Sequence, residues 1–295
     1  MPLGFARVGL TGGASFSPIV ATGGNSINTY TDSGVEYKAH TFTGSGTFAV
    51  SDKGSEGEVQ FMLLAGGGAG GGGGVSEYGG GGGAGGMLIE TLTLAVTGNY
   101  AVTIGGGAGA TRWRSDGGGS GSESYFKNPS STTIAHARRG GGGGCYACTG
   151  TSGGSGGGGG FGNNRNGGTI LYDSTNFPTT AQGTAGKKGG GGGGGAGGTH
   201  GNDNTYQVNK QTGTASKNNN YSTGSNIAYA GGGGGGGGGA SGGGAGAGSG
   251  GYVGNGASGS NKGSGGGAGC CGSDNYTTNG GGSSGIFVVR YLTGN

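Results

Sequence analysis

The sequence predicts an all-β fold in which a small antiparallel β-domain carries an inserted bundle of extended glycine helices. Three observations predict it. Gly accounts for 95 of the 295 residues and is concentrated in near-pure tracts. Short β-rich apolar segments cluster in residues 35–104, and one more lies at the end of the chain. Finally, no segment has the spacing of an amphipathic helix, and the Gly content disfavours α-helix throughout.

The β-domain begins with two segments of alternating or β-rich character, Val35–Phe42 and Gly46–Val50. The short Thr-Gly-Ser stretch between them predicts a hairpin. Glu58–Leu64 predicts a third strand that is buried on both faces towards its end. Met87–Leu94 and Tyr100–Ile104 predict two more strands, which we expect to be joined by a turn at residues 97–99.

The C-terminal segment Gly285–Leu292 is the only comparable apolar run after residue 105. A lone strand is unstable in isolation, so we expect it to pair with the sheet formed by residues 35–104. This pairing would close the β-domain and make everything between an insertion.

The glycine tracts are too pure for a linker and have the wrong pattern for collagen. Collagen needs Gly at every third position and abundant Pro, whereas this chain has 4 Pro and unbroken Gly runs. Flexible linkers mix Gly with polar residues, whereas Ala is almost the only interruption here. The tracts are residues 66–74, 79–86, 105–107, 117–119, 140–144, 153–160, 189–198, 231–239, 242–251, 265–269 and 280–282.

Extended helices with polyproline II geometry offer these tracts a folded state. Such a helix has no internal hydrogen bonds, so every N–H and C=O must find a partner outside it. Without Cβ atoms, neighbouring tracts approach closely and bond in several directions, and the backbone becomes the core. We expect the alanines at the periphery of this glycine bundle, because an interior methyl would separate two helices.

Three regions follow from these patterns. Residues 1–34 form an N-terminal attachment arm, and residues 35–104 together with 285–295 form the β-domain. Residues 105–284 form the glycine bundle with exposed loops, to which residues 66–86 also contribute tracts.

The loops between tracts are the only chemically diverse parts and are rich in Tyr, Ser, Gly and Asn, which is typical of adaptable recognition surfaces. The alternative is that their aromatic side chains cap the bundle and shield its ends from water. The receptor-binding candidates are Arg112, Trp113, Arg114, Tyr125, Phe126, Tyr146, Tyr172, Phe177, Tyr206, Tyr221, Tyr229 and Tyr276.

The four cysteines are candidates for disulfides: Cys145, Cys148, Cys270 and Cys271. Bridges between the two loops in an oxidising medium and free thiols are both open. A zinc site would combine the C-x-x-C pair with the adjacent pair at 270–271 and so lacks the usual second C-x-x-C or His pair. His40, His136 and His200 lie far apart in the sequence, so we expect no metal and no cofactor. No catalytic motif has its required context, and we expect no enzyme activity.

Charge and targeting signals limit the partners and the cellular location that we expect for this protein. The net charge of +3 is too weak to favour nucleic acid, and no apolar run is long enough to cross a membrane. The first residues lack a secretory signal, so we expect synthesis in a cytoplasm.

Four segments in order, His40–Phe48, Val59–Gly68, Tyr100–Gly105 and Gly285–Tyr291, resemble the glycine-rich domain proteins of bacteriophage tails. The resemblance covers roughly residues 35–295. It implies a tail-fibre or distal-tip adhesin in the virion, acting outside the cell. Related T-even-type adhesins are polyglycine II sandwiches whose distal loops bind host outer-membrane protein or lipopolysaccharide. This chain departs from them in carrying its own N-terminal β-domain.

The leading hypothesis is therefore a receptor-binding adhesin whose partners are a bacterial surface receptor and neighbouring fibre chains or a homo-trimer. The alternative is a structural protein that self-assembles into a filament, with the N-terminal arm completing a neighbour's sheet. An ice-binding protein ranks last, because the tracts lack regular rows of Thr or Ala.

Overall fold

A computed structural model of the chain describes residues 16–74, 77–110, 116–162, 165–173, 177, 180–197, 212–237, 241–242, 246–250, 259, 262–269 and 278–294. Within these residues the fold is all-β, as the sequence predicts, with twelve strands and no α-helix. The strands are β1 (Val20–Thr22), β2 (Ser26–Asp32), β3 (Val35–Phe42), β4 (Gly46–Asp52), β5 (Glu58–Leu64), β6 (Met87–Thr93), β7 (Gly98–Thr103), β8 (Ser124–Lys127), β9 (Thr133–Ala137), β10 (Lys217–Asn219), β11 (Ile227–Tyr229) and β12 (Ile286–Gly294).

Ten of these strands form two five-stranded antiparallel sheets. The first sheet has the order β1-β4-β7-β8-β9, and the second has the order β2-β3-β12-β5-β6. The two sheets pack face to face as a sandwich, because one hydrophobic cluster contains buried side chains of both, including Phe48 and Phe126 of the first sheet and Phe61 and Phe287 of the second. Strands β10 and β11 form a separate two-stranded sheet.

The second sheet is buried on both faces. Phe61 and Leu63 of β5 face the sandwich core, whereas Met62 and Leu64 belong to a second hydrophobic cluster on the opposite face. Tyr229 of β11 is part of that second cluster. The continuous apolar run in β5 is therefore explained by the burial of both faces of this strand.

The C-terminal strand closes the sheet, as predicted from its isolation in the sequence. β12 lies between β3 and β5 and pairs antiparallel with both. Strands brought together from the two ends of the chain thus form the centre of the second sheet.

The hairpin expected between β3 and β4 is wrong, and neither of the short connections predicted within the β-domain joins paired strands. β3 and β4 do not form a hairpin, because both edges of β3 are occupied by β2 and β12. β4 instead joins the first sheet, between β1 and β7. The turn after β6 likewise leads to the other sheet, since β6 pairs with β5 and β7 pairs with β4 and β8. These short connections cross between the layers of the sandwich.

The sandwich also extends beyond the expected boundaries. β1 and β2 lie within residues 1–34, the segment expected to be an attachment arm, and they pair with β4 and β3. β8 and β9 lie within residues 105–284, the region expected to form the glycine bundle. Alternating burial in these short strands, such as Ser124 and Phe126 inward, places them in the sandwich.

The glycine tracts continue the strand pairings of the sandwich without a change of register. Leu64 pairs with Met87 at the end of β5 and β6. Beyond it, the N–H groups of Ala65, Gly68 and Gly71 donate to the carbonyls of Gly86, Gly83 and Gly80. The β5–β12 and β8–β9 pairings extend in the same way, through Gly67 with Ser283 and Gly121 with Gly140.

Hydrogen-bond partners repeat every three residues along a tract. In tract 66–74, three successive N–H groups donate to three different neighbouring segments, and the fourth returns to the first. The donors and acceptor segments are Gly66, Ala69 and Gly72 to residues 116–122, Gly67 and Gly70 to residues 280–283, and Gly68 and Gly71 to residues 80–83. These tract residues belong to none of the twelve strands.

Tract 79–86 lies at the centre of the glycine bundle. Its N–H groups donate to three tracts, and its carbonyls accept from three others. The six neighbours are residues 65–71, 138–144, 153–160, 189–198, 231–239 and 263–269. The backbone groups of an interior tract are thus paired in all directions, as burial of polar groups requires.

The interior tracts leave no room for a side chain. A Cβ atom at Gly82 would overlap the carbonyl of Gly68, and one at Gly81 would overlap the carbonyl of Gly233. At Gly106, on the exposed side of the bundle, a Cβ atom would meet nothing within 4 Å. Glycine is therefore required by close backbone approach in the interior and not on the surface.

The expectation that alanines lie at the periphery is wrong. Ala69, Ala84 and Ala268 are fully buried. Ala84 belongs to the second hydrophobic cluster, with Met62 and Leu64. Its methyl group therefore fills space at the junction between bundle and sheet instead of separating two tracts.

A buried histidine connects the two ends of the described chain. His40 Nδ1 lies 2.8 Å from the carbonyl oxygen of Gly23, to which it donates, and Nε2 lies 3.0 Å from the Tyr291 hydroxyl, from which it accepts. The imidazole packs against Phe48. Burial lowers the pKa of His40, because the cation would lose its hydration.

We expect Gly82→Ala to lower the free energy of unfolding by about 1–3 kcal/mol or more, because a well-packed interior cannot accept the added methyl. Gly106→Ala is the matched control, and it should leave stability unchanged or raise it by about 0.4–1 kcal/mol. Chemical denaturation of both variants measures this difference. Equal stability of the two would contradict close packing around Gly82.

We also expect stability to fall as the pH drops from about 7.5 to 5.5. The unfolded chain takes up a proton on His40 near pH 6.5, whereas the folded chain does so only at lower pH, so acid favours unfolding in this window. Denaturation midpoints should show a shallower pH dependence in His40→Gln than in the unsubstituted chain. Parallel pH profiles would disprove the assignment.

Candidate recognition surface at the tip

The tip is the end of the glycine bundle opposite the sandwich. Tract 66–74 starts where β5 ends and tract 79–86 ends where β6 starts, so the turn between them lies at the tip. Hydrogen bonds from Gly80 to Gly144 and from Gly81 to Gly191 bring the turns at 145–148 and 189–190 to the same end. The turn at 161–162 joins them, because Phe161 N–H donates to the Tyr78 carbonyl at 3.0 Å.

Three half-buried aromatic side chains from three of these turns form a cluster, which we call the tip patch: Tyr78, Tyr146 and Phe161. The Tyr78 and Phe161 rings meet edge to face with their centroids 5.1 Å apart, and the Tyr146 ring lies 6.5 Å from Phe161. Edge-to-face contacts of this kind are favourable beyond the area they bury. The tip patch is thus a defined aromatic surface.

Glycine backbone supports the tip patch from below. Gly237 has a positive φ of 93°, a conformation that side chains disfavour, and a Cβ atom there would lie 3.3 Å from the Tyr78 ring. Gly162 is close enough to the Tyr146 ring that a Cβ atom would be 2.7 Å from it. The Tyr78 and Tyr146 rings therefore pack directly against glycine backbone, where a side chain would crowd them.

A disulfide joins Cys145 and Cys148 across the turn that carries Tyr146. The Cys148 N–H also donates to the Cys145 carbonyl at 3.0 Å. For this pair, the expected bridge between loops is wrong, since the two sulfurs are three residues apart in one turn. Cys270 and Cys271 lie outside the described residues.

Tyr78 and Phe161 are not among the candidates chosen from the sequence. The sequence feature that could have identified them is their position, since Tyr78 directly precedes tract 79–86 and Phe161 directly follows tract 153–160. An aromatic residue at a tract boundary lies where the backbone turns back at the end of the bundle.

Three of the sequence-based candidates are hydrophobic packing residues instead. Phe126 is fully buried in the sandwich core, 4.7 Å from Phe287 between ring centroids. Phe177 packs against the same core, with its ring 6.1 Å from Phe61. Tyr229 is buried in the second hydrophobic cluster. As receptor contacts, Phe126 and Tyr229 are wrong because their side chains are covered.

Tyr221 is held against the sandwich rather than at the tip. The Arg290 guanidinium lies between the Tyr37 and Tyr221 rings, 4.1 Å from each centroid. Arg290 also forms an ion pair with Asp32, with Nη1 2.9 Å from Oδ2. The Arg290 side chain lowers the pKa of Asp32 against the opposing effect of burial. These contacts fix the loop between β10 and β11 on the second sheet.

Tyr125 belongs to a polar cluster on the outer face of the first sheet. Its ring stacks on His136 with centroids 4.4 Å apart, and its hydroxyl donates to Glu123 at 2.5 Å. This hydrogen bond, with burial, raises the pKa of Tyr125 to about 12. Arg138 pairs with Glu123 at 3.3 Å and donates from Nε to the Tyr172 carbonyl. Tyr172 itself is 44% exposed, beside the sandwich.

The remaining candidates lie outside the described residues: Arg112, Trp113, Arg114, Tyr206 and Tyr276. The chain resumes after the first three at Asp116, whose carbonyl accepts from Gly72, two residues before the end of tract 66–74. Of the candidates within the described residues, the structure brings only Tyr146 into the tip patch.

The described parts of the chain hold no group of three or more His, Cys, Asp or Glu side chains arranged to bind a metal ion. They also contain no helix with the length and apolar content needed to cross a bilayer.

We expect Phe126→Ala to cost about 3–5 kcal/mol of unfolding free energy, because it removes a fully buried ring from the sandwich core. Tyr172→Ala should change stability by no more than about 0.5 kcal/mol, since nearly half of its side chain is already exposed. Denaturant titration of the two variants distinguishes a core residue from a surface residue. Similar losses in both would contradict these burial assignments.

Comparison with known proteins gives one family. No curated protein matches the chain. Residues 41–292, which span most strands of the sandwich and the whole glycine bundle, match a family described as a glycine-rich domain. The chain therefore belongs to the glycine-rich domain family.

Proposed function

We propose that this protein is a phage tail-fibre or tip adhesin. Its tip binds a receptor on the bacterial surface, either an outer-membrane protein or lipopolysaccharide. In this proposal the protein is part of the virion, works outside the cell and has no enzyme activity. The sandwich connects it to neighbouring fibre chains.

One observation carries the proposal: the described chain ends and the tip lie at opposite ends of the molecule. The described chain starts at Phe16 and ends at Gly294, both beside the sandwich. The turns at 77–78, 145–148, 161–162 and 189–190 gather at the other end. A molecule built in this way can be anchored by one end while it presents several loops at the other.

We further propose that the tracts are polyglycine II helices. A three-residue repeat of hydrogen-bond partners and six neighbours around tract 79–86 support this geometry, since a three-fold helix directs its backbone groups outward at three angles. Such a bundle is stiff because its interior tracts are hydrogen-bonded on all sides. Stiffness suits an adhesin, because pre-organised contact surfaces lose less entropy on binding.

The chemistry of the tip patch supports recognition over simple capping. Tyr78, Tyr146 and Phe161 are half-buried, so part of each ring is available to a partner. Aromatic side chains provide large rigid contact areas at low entropic cost and are frequent hot spots of binding. The disulfide in the turn of Tyr146 restricts this ring further.

The alternative, a self-assembling filament, is weakened by the pairing of the N-terminal strands within their own chain. It requires the N-terminal segment to pair with a neighbouring subunit, yet β1 and β2 pair within the same chain. Only residues 1–15 remain for exchange between subunits, and they lie outside the described residues.

The test is adsorption of the purified, fluorescently labelled protein to a panel of Gram-negative bacteria. On a strain that binds it, we expect the double variant Tyr146→Ser/Phe161→Ser to weaken adsorption at least about tenfold, as loss of hot-spot contacts does. Tyr172→Ser is the matched control, because it removes an exposed ring beside the sandwich.

The outcomes separate the proposal from its competitors. Unchanged adsorption of the tip variant, or loss of adsorption in Tyr172→Ser alone, would overturn recognition by the tip patch. Adsorption to no strain in the panel, together with polymerisation of the pure protein, would favour the filament. Denaturation midpoints of the variants show whether each remains folded.

A further inference from the structure

An arginine at the tip has a buried hydrogen-bond donor without a partner among the described residues. Arg165 is half-buried, and its Nε atom is fully covered yet donates no hydrogen bond. Its side chain has no ion pair with these residues either, whereas Arg138 and Arg290 pair with Glu123 and Asp32. A covered donor without a partner costs free energy, and a bound ligand that accepts its hydrogen bond would remove this cost.

A lysine with an available ammonium group lies beside Arg165. Lys188 is half-buried, and its side chain forms no hydrogen bond or ion pair within the described chain. The preceding Lys187, by contrast, donates from Nζ to the Thr212 carbonyl at 2.9 Å. The Gly189 N–H donates to the Arg165 carbonyl at 3.0 Å, which places residues 165 and 188 on adjacent segments. Two cations are therefore available to a negatively charged ligand.

Both cations lie next to the tip patch. Lys188 directly precedes the turn at 189–190, and a Cβ atom at Gly190 would be 3.5 Å from Cβ of Tyr78 and 3.6 Å from Cβ of Phe161. Arg165 follows Phe161 in the next segment of the chain, and its carbonyl lies against Gly159 on the other side of that turn. Aromatic rings and cations thus share one part of the tip.

The acidic residues of the described tip are separated from each other. Glu77 lies in the turn of Tyr78, and Asp116 lies on a different segment, beside the end of tract 66–74. The three cations, Arg165, Lys187 and Lys188, instead lie on two segments that hydrogen-bond to each other. Positive charge is therefore concentrated where these two segments meet.

We propose that Arg165 and Lys188 bind a phosphate group on a saccharide of the bacterial surface, while the rings of the tip patch pack against the sugar. This inference rests on the proposed function and specifies lipopolysaccharide as the receptor. The phosphates of lipopolysaccharide are attached directly to its sugars, so one ligand presents both chemical groups.

The chemistry of the two side chains favours phosphate over a protein carboxylate. A phosphate monoester carries a charge of about −1.5 to −2 and three acceptor oxygens at neutral pH, whereas a carboxylate carries a single charge. A guanidinium binds two phosphate oxygens through parallel N–H groups, and an ammonium adds a compact charge. Aromatic rings provide flat apolar faces for the C–H groups of a sugar. The pair of cations beside the rings therefore matches a phosphorylated sugar.

The first experiment measures binding to lipopolysaccharide purified from a strain that adsorbs the protein. Biolayer interferometry compares the native material with the same material dephosphorylated by aqueous hydrofluoric acid. We expect saturable binding to native lipopolysaccharide and binding at least about tenfold weaker after dephosphorylation, as loss of hydrogen bonds to a charged group produces. Equal binding to the two would overturn recognition of phosphate.

Failure of this inference is distinct from failure of the proposed function. A protein that adsorbs to cells but does not bind their purified lipopolysaccharide would overturn the inference and leave an outer-membrane protein as the receptor. Adsorption to no strain would overturn the proposed function and this inference with it.

The second experiment places the phosphate at the two cations. The double variant Arg165→Met/Lys188→Gln should bind native lipopolysaccharide at least about tenfold more weakly. Lys53→Gln/Lys217→Gln is the matched control, because it changes the net charge equally at two exposed lysines beside the sandwich. Its binding should stay close to that of the unsubstituted chain. Equal weakening of the two double variants would show an effect of net charge alone and overturn the assignment.

Stability separates a binding role of Arg165 from a structural one. Arg165→Met removes the charge and the covered donor while it keeps an unbranched apolar stem. We expect its denaturation midpoint to equal or exceed that of the unsubstituted chain, because the removed donor had no partner. A clear fall in the midpoint together with weaker binding would make Arg165 a structural residue and overturn the proposal.

Discussion

The rest of the structure depends on one constraint: a buried peptide group must be hydrogen-bonded. Ordinary domains meet it inside helices and sheets and cover the result with side chains. In the glycine bundle the partners lie in neighbouring tracts, and the close approach that this requires leaves no space for Cβ atoms at positions such as Gly81 and Gly82. The high Gly content and the close packing of the tracts therefore have the same cause. Replacing these glycines would separate the tracts and leave their amides unpaired.

The sandwich holds the first tracts of the glycine bundle side by side. Glycine is entropically costly to order, and a single tract has no partner of its own. Hydrogen bonds that begin between Leu64 and Met87 in the second sheet continue with the same register into tracts 66–74 and 79–86. The sheet thus holds the first two tracts in register, and the other tracts hydrogen-bond to them and to each other.

Six of the twelve strands could be predicted from the sequence, and apart from the return of the C-terminal strand to the sheet their partners could not. β3 and β5 have the bounds that their β-rich runs suggest, Val35–Phe42 and Glu58–Leu64. The false hairpin between β3 and β4 arose because a short turn predicts local pairing, whereas β3 pairs with β2, which precedes it by two residues, and with β12 from the far end of the chain. The competition between two local partners and one distant partner is decided by tertiary packing.

The site was predicted less well, for a related reason. An aromatic residue in a Gly-rich loop has the same local sequence whether it caps the tip or returns to the sandwich. Tyr221 and Phe126 illustrate this, since one is held by Arg290 and the other fills the core. Near-identical tracts carry no information about which of their turns share an end, and only the hydrogen-bond register reveals that Tyr78, Tyr146 and Phe161 meet.

Amide hydrogen exchange in tract 79–86 tests the central claim most directly. If the backbone of the glycine bundle is a folded core, the amides of Gly80–Gly85 exchange only when the whole domain unfolds, as slowly as those of β5 and β12. The exposed Gly106 should show how a tract residue behaves at the surface. Exchange of the central amides at the rate of an unstructured glycine peptide, with β5 still protected, would contradict the account.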